Sequence, residues 1–164
     1  MTHSERMPGD MEQVRAIAAA RLGVISRSEA LQAGFSYNAI RHRIECGMWA
    51  RVGRALIIRD LHQQGDAATA WILHLHVGRS SLVSGPLALR LLGWHVPGED
   101  HLVAHPSDAQ AAIDLDLRIL RRSVTSGVQP PGLPPLIPRL ESLADTLVSR
   151  SASAARDLLD HALQ

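Results

Sequence analysis

From Ser26 to Ile58 the chain sets two helix starts, two glycine stops and a basic hairpin in one run without spare residues, an order that few folds accommodate. Ser26-Arg27-Ser28-Glu29 has the form of a capping box. In such a box the serine hydroxyl accepts from the Glu amide while the carboxylate accepts from the serine amide. A helix is predicted from here, carrying Ala30 and Leu31 inward and stopping at Gly34, a residue that can take the left-handed conformation of a helix end. Phe35 then plugs the core. Ser36 is placed to cap a second helix, in which Ile40 and Ile44 lie one turn apart on the buried side, and Gly47 ends it. Trp49 to Val52 and Ala55 to Ile58 read as two short strands around Gly53-Arg54, because glycine at the first central position permits a type II′ turn. Upstream, Met11, Val14, Ile17, Ala18 and Leu22 follow helical spacing and form a first helix packed behind the second capped one. Helix, turn, helix and hairpin in this order predict a winged helix-turn-helix over residues 10–60.

With Ile40 and Ile44 inward at about 3.6 residues per turn, the opposite surface presents Asn38 and His42, flanked by Arg41 and Glu45, with Tyr37 and Arg43 nearer the edges. Such a surface suits the major groove of double-stranded DNA. Asn pairs bidentately with adenine and Arg with guanine, and the start of the second helix is the part that reaches base edges. Tyr37, Asn38 and Arg41 are therefore the expected base readers. Arg27, Ser36, His42 and Arg43 complete the expected contact surface, and Arg51, Arg54 and Arg59 sit on the wing. Charge is distributed accordingly. Positions 21 to 59 hold seven Arg against two Glu, whereas the whole chain has a formal charge of only +1. A nearly neutral chain has concentrated its positive charge on the expected reading head, as phosphate binding requires.

The run Gly23-Val24-Ile25-Ser26-Arg27, then Gly34-Phe35-Ser36, then Ile40-Arg41-His42-Arg43-Ile44, then Gly47 and Trp49-Ala50-Arg51-Val52, resembles the N-terminal winged helix of AbiEi-type antitoxins. These are the DNA-binding halves of type IV toxin–antitoxin systems. The resemblance continues more faintly through Ser84 to Gly93, through Gly132-Leu133-Pro134 and through Glu141-Ser142-Leu143-Ala144-Asp145 of the second part. It implies DNA binding, and a cognate toxin protein as a further partner. Two departures stand out. The family's wing continues with Gly, an aliphatic residue and Tyr, where this chain has Ala55, Leu56 and Ile57, so the turn is expected at Gly53. The family's late helix carries Arg where this chain has Glu141. Some relatives append a nuclease-like domain, but this chain ends at Gln164 and no nuclease activity is expected of it.

Composition narrows the remaining classes. All seventeen basic residues are Arg, which removes Lys-dependent chemistry such as a Walker A loop or a Schiff base. Neither a Gly-x-Ser-x-Gly elbow nor a base partner for one is present. Nine His include His74-Leu75-His76 and the pair His101 and His105, but none has a recognised ligand spacing, and no metal or other cofactor is expected. Cys46 is the single cysteine, so no internal disulfide is available and a reducing, cytoplasmic setting is expected, with Cys46 packing near the helix end. No apolar run reaches the roughly 20 residues of a membrane span. At 46% hydrophobic residues the chain is far from the disordered class.

Residues 61–164 read as a small mixed α/β second domain. A helix is expected over about Asp66 to Val77, anchored by Trp71 and Leu75, then a helix from Ser84, and strands near His101 to His105 and Leu117 to Arg122. Gln129 to Pro138 holds five prolines and favours extended backbone, read chiefly as a stiff connector and secondarily as a partner-binding strip. Leu140 to Leu163 reads as helix, with apolar positions Leu140, Leu143, Leu147, Leu158, Leu159 and Leu163 and a break near Ser151 to Ser153. Arg118, Arg121 and Arg122 are candidates for a second DNA contact. The expectation is an α+β protein, not an enzyme, acting as a sequence-specific DNA-binding regulator and repressor. The alternatives are an antitoxin acting mainly against a nucleotidyltransferase toxin, and a specificity module of a DNA-processing enzyme. Sequence leaves the oligomeric state open.

Overall fold

In the computed structural model, which describes residues 9–107, 113–123, 126–151, 154–157 and 160, the capping box forms as spelled. The Ser26 Oγ accepts from Glu29 N at 3.1 Å, and Glu29 Oε2 accepts from Ser26 N at 2.8 Å. This starts α2 (Arg27–Gln32), which follows α1 (Met11–Ala19) and the short strand β1 (Val24–Ser26). The chain reverses at Gly34, whose φ of 87° lies in the left-handed region that side chains with a Cβ avoid. Ser36 Oγ then accepts from Ala39 N at 3.1 Å and opens α3 (Tyr37–Glu45). The hairpin β2 (Trp49–Val52) and β3 (Ala55–Ile58) turns at Gly53 with φ 58°. A positive φ at the first central residue, without one at Arg54, is the type II′ pattern.

β1 was not expected as a strand, and it changes the architecture. It pairs antiparallel with β3 in the register Val24↔Ile57 and Ser26↔Ala55, while β2 takes the other edge with Trp49↔Ile58 and Val52↔Ala55. The hairpin is thus part of a three-stranded sheet, β1-β3-β2, with β3 in the middle. All four β3 residues are buried. Alternation sends Leu56 and Ile58 into a core with Val14, Ile25, Phe35, Ile40 and Trp49, and sends Ala55 and Ile57 to the other face, against Ala68, Trp71 and Ile72. Leu22, expected in the first helix, lies instead in the turn after it at φ 56° and packs with that second group.

The three residues Ala68, Trp71 and Ile72 belong to α4 (Asp66–Val77), which lies across the outer face of the first sheet and shields it from water. Behind α4 come β4 (Leu82–Ser84), α5 (Gly85–Leu91), β5 (His101–His105), β6 (Leu117–Arg121) and α6 (Arg139–Ser149). The second sheet runs β4-β5-β6, antiparallel then parallel, and its core joins Leu73, Val77, Val83, Leu87, Val103 and Leu136. The proline-rich segment is built into this unit. Val83 N donates to Pro135 O at 3.0 Å, Ile137 N donates to Val83 O at 2.8 Å, and Leu136 and Ile137 are fully buried. α6 stops at Ser149, and its cap residue Arg150 is extended; the expected apolar positions Leu158, Leu159 and Leu163, with residues 152–153, lie outside the described residues. The chain is an α+β protein. Among the described residues no helix is long and apolar enough to cross a membrane.

Three groups make stability depend on pH. The His74 ring is buried, which pushes its pKa below the ordinary value of 6.5, and its Nδ1 lies 3.1 Å from Ser81 O; His101 is shifted down by the same cause. At Glu29, burial pushes the carboxyl up, but hydrogen bonds from the Ser26 backbone and hydroxyl and the Arg21 guanidinium outweigh it, and the net shift is downward from 4.5. The unfolded chain therefore binds more protons in both windows, so stability rises with pH across each. Urea unfolding is expected to show stability declining first as pH falls below 6.5, from the histidines, and again below 4.5, from Glu29. Glu29→Gln should shrink the second decline and leave the first; a pH-independent midpoint would contradict both assignments.

Candidate nucleic-acid interface

The first turn of α2, the side of α3 that faces the hairpin, and the β2–β3 hairpin itself enclose a groove of about 760 Å³, closed on its far side by the end of α4. Its floor is apolar, made by Ile40, Ile44, Leu56 and Leu75. Its rim is basic. Arg27 comes from α2, Arg41 from α3, Arg51 and Arg54 from the hairpin, and Arg79 from the turn after α4, with Tyr37 and Asn38 beside them and Glu45 as the acid among the lining residues.

Local structure explains how each side chain reaches its place. Because the capping box fixes Arg27 at the first position of α2, its guanidinium lies over the Tyr37 ring, 4.6 Å from the centroid. Tyr37 is 60% exposed, and Asn38 and Arg41 are exposed on the same face. Arg41 meets Glu45 one turn on at 3.6 Å, a surface pair of the kind that contributes little and yields to competition. Arg51 Nε donates to Gly53 O at 2.9 Å, which lays the side chain along the hairpin turn. Arg54 donates its backbone N–H to His76 Nδ1 of α4 at 3.2 Å and leaves its side chain exposed. The groove therefore unites Arg27, Tyr37, Asn38, Arg41, Arg51 and Arg54.

Four other expected contacts lie outside it. The Ser36 hydroxyl is committed to capping α3. His42 faces solvent beside Cys46 Sγ, 3.5 Å from Nε2. Arg43 turns the other way and stacks over Phe35 at 4.7 Å and Trp49 at 5.6 Å, covering the core. Arg59 follows β3 on an exposed connection. Cys46, expected to pack, is exposed, since two residues past inward-facing Ile44 is about 200° around the helix. Arg79 was missed: nothing local to Gly78-Arg79-Ser80 marks it, and only the packing of α4 on the first sheet brings it to the groove.

The basic residues of β6 do not converge. Alternation along the strand sets Arg118 and Arg121 on opposite faces. Arg122 is held by Asp145 at 3.0 Å and Glu141 at 3.3 Å, both on α6. Asp145 also accepts from Ser84 Oγ at 2.5 Å. Glu141 is thus a partner for Arg122. Arg118 shares a small cleft with Asp100 and Asp116 and donates to Ser149 O at 3.4 Å.

Several arginines away from the groove are held in salt bridges. Arg15 meets Asp60, Arg21 meets Glu29, Arg90 meets Asp66 and Arg150 meets Asp100. Among the described residues Arg27, Arg51, Arg54 and Arg79 meet no carboxylate. Arginines of the expected contact surface that serve the fold should be separable from those that do not. Arg43→Ala is expected to lower stability by about 1 kcal/mol, from the loss of a guanidinium stacked on two core rings, and Arg54→Ala to leave it nearly unchanged; equal urea midpoints for the two variants would refute this division.

Comparison with known protein families and with curated protein sequences finds no match to this chain, so the reading of the groove rests on its own residues and geometry.

Proposed function

We propose that residues 10–60 form a winged helix-turn-helix and that the protein is a sequence-specific DNA-binding regulator, acting as a repressor. The observation that carries this reading is the convergence on one groove of Arg27, Arg51, Arg54 and Arg79, none of which meets a carboxylate among the described residues. Converging like charges repel one another in the free protein, and a polyanion relieves that repulsion. α3 enters the major groove with Tyr37, Asn38 and Arg41 toward base edges, and Arg51 and Arg54 grip the backbone beside it. Binding over a promoter excludes RNA polymerase by occupancy, and the role needs no catalytic step. The resemblance to AbiEi-type antitoxins supports the same assignment for α3 and the hairpin.

Anisotropy binding to the protein's own upstream region and to scrambled DNA, across a salt series, tests the proposal. Tight binding with a clear preference for the upstream region is expected. Arg41→Ala should relax preference at one base pair by about 1–3 kcal/mol, whereas Arg54→Ala should weaken both DNAs alike and flatten the salt slope. Equal and weak binding of the unaltered chain to both DNAs would overturn the regulator reading in favour of one in which the surface meets a protein, such as a cognate toxin.

A further inference from the structure

The tip of the hairpin is not a free flap. Gly53 lies so close to α4 that a Cβ there would overlap the His76 ring, and Arg54 N donates to His76 Nδ1 at 3.2 Å. The last turn of α4 therefore sets where the tip of the hairpin stands. Beyond it the chain makes a tight, well-anchored turn. Gly78 N donates to His74 O at 2.9 Å, Ser81 N donates to Gly78 O at 2.9 Å, and Ser81, 1% exposed, lies with its Oγ 3.0 Å from His74 Nδ1. Arg79 emerges from the middle of this turn, exposed, onto the groove that Arg27, Arg41, Arg51 and Arg54 surround. Because the turn is tied at both ends, the point from which Arg79 emerges is fixed relative to α3.

We infer that the turn between α4 and β4 is part of the nucleic-acid surface, with Arg79 contacting a phosphate of the same duplex that α3 reads. The inference rests on the DNA-binding reading above and extends it: the second unit, which sequence expected to reach DNA through Arg118, Arg121 and Arg122 on and beside β6, does so from the turn that leads into β4, the other edge of its sheet. The contact is sequence-independent, because a turn beside the hairpin faces the backbone rather than the base edges. A cation just past a helix C-terminus also has a local use, in the favourable field of the exposed carbonyls. That use would register in thermal unfolding and not in the salt dependence of binding.

The test uses the full chain, with Arg79→Gln, Arg79→Lys and Arg118→Gln, against the upstream and scrambled duplexes over a salt series. Each phosphate that the protein ceases to neutralise lowers the slope of log affinity against log salt by about 0.9. Arg79→Gln is expected to reduce the slope by about that much on both duplexes, Arg79→Lys to restore it because a point charge suffices for a phosphate, and Arg118→Gln to parallel the unaltered chain. Ser80→Glu keeps Arg79 in place and sets a carboxylate beside it on the exposed turn, so it should weaken binding to both duplexes even if Arg79→Gln fails to fold. Unaltered slopes for Arg79→Gln, or a reduced slope in Arg118→Gln instead, would overturn this inference while leaving the DNA-binding reading intact. Failure of the unaltered chain to bind either duplex would overturn both.

Discussion

β3 is buried on both faces, and the molecule is arranged around that fact. Leu56 and Ile58 complete the core behind α3, while Ala55 and Ile57 complete the layer under α4. One four-residue strand thereby serves as the common wall of two hydrophobic layers, each of which removes apolar surface from water only because the other side of the wall is covered too. This also accounts for the unbroken aliphatic run of β3. A Tyr at the position of Ile57 would bring a hydroxyl among Ala68, Trp71 and Ile72, where a buried polar group without a partner is costly. A chain that lays α4 over its hairpin sheet needs aliphatic residues on both sides of β3, and Ala55-Leu56-Ile57-Ile58 provides them.

The same wall governs the electrostatics of the groove. Glu29 sits on α2 close to the rim, where an unpaired carboxylate would cancel part of the positive field. It is instead committed to the Ser26 amide and hydroxyl, and to Arg21 at 2.9 Å and 3.0 Å. Arg21 in turn lies over Trp71 of α4, 4.8 Å from the ring centroid. The acid nearest the α2 start is therefore neutralised from behind, by a residue that the packing of α4 holds in place. What remains on the outside is Arg27 and its neighbours, with Glu45 at the far end of α3 as the remaining acid among the lining residues.

Much of the first unit was legible because its signals are local. A capping box, a capping serine, a glycine stop and a glycine turn each act over four residues or fewer, and each forms where it is spelled. α4 matches its expected bounds for a related reason, since a nearly continuous apolar run between Gly65 and Gly78 has little alternative to a buried helix. What escaped reading depends on partners distant in sequence. Val24–Ser26 is too short to show a period and becomes a strand only because β3 offers it an edge. Leu136 joins the second sheet beside Val83 although prolines surround it, since Pro135 O accepts from Val83 N and Ile137 N donates to Val83 O. Arg43 has the same helical-wheel position whether it faces DNA or the core, and the rings of Phe35 and Trp49 decide between them.

A shared wall has a consequence for recognition. If the hairpin were attached to the rest of the molecule only through its own strands, its arginines would have to be ordered at the moment of binding, and the lost freedom would subtract from affinity. Here β3 is held on one face by the core behind α3 and on the other by α4, and the turn at Gly53 is tied to His76. The separation between the exposed face of α3 and the tip of the hairpin is therefore fixed before any ligand arrives. A fixed separation favours a ligand whose own charges recur at a fixed spacing, as the phosphates of a duplex do, over a flexible anion that could adapt to a loose surface.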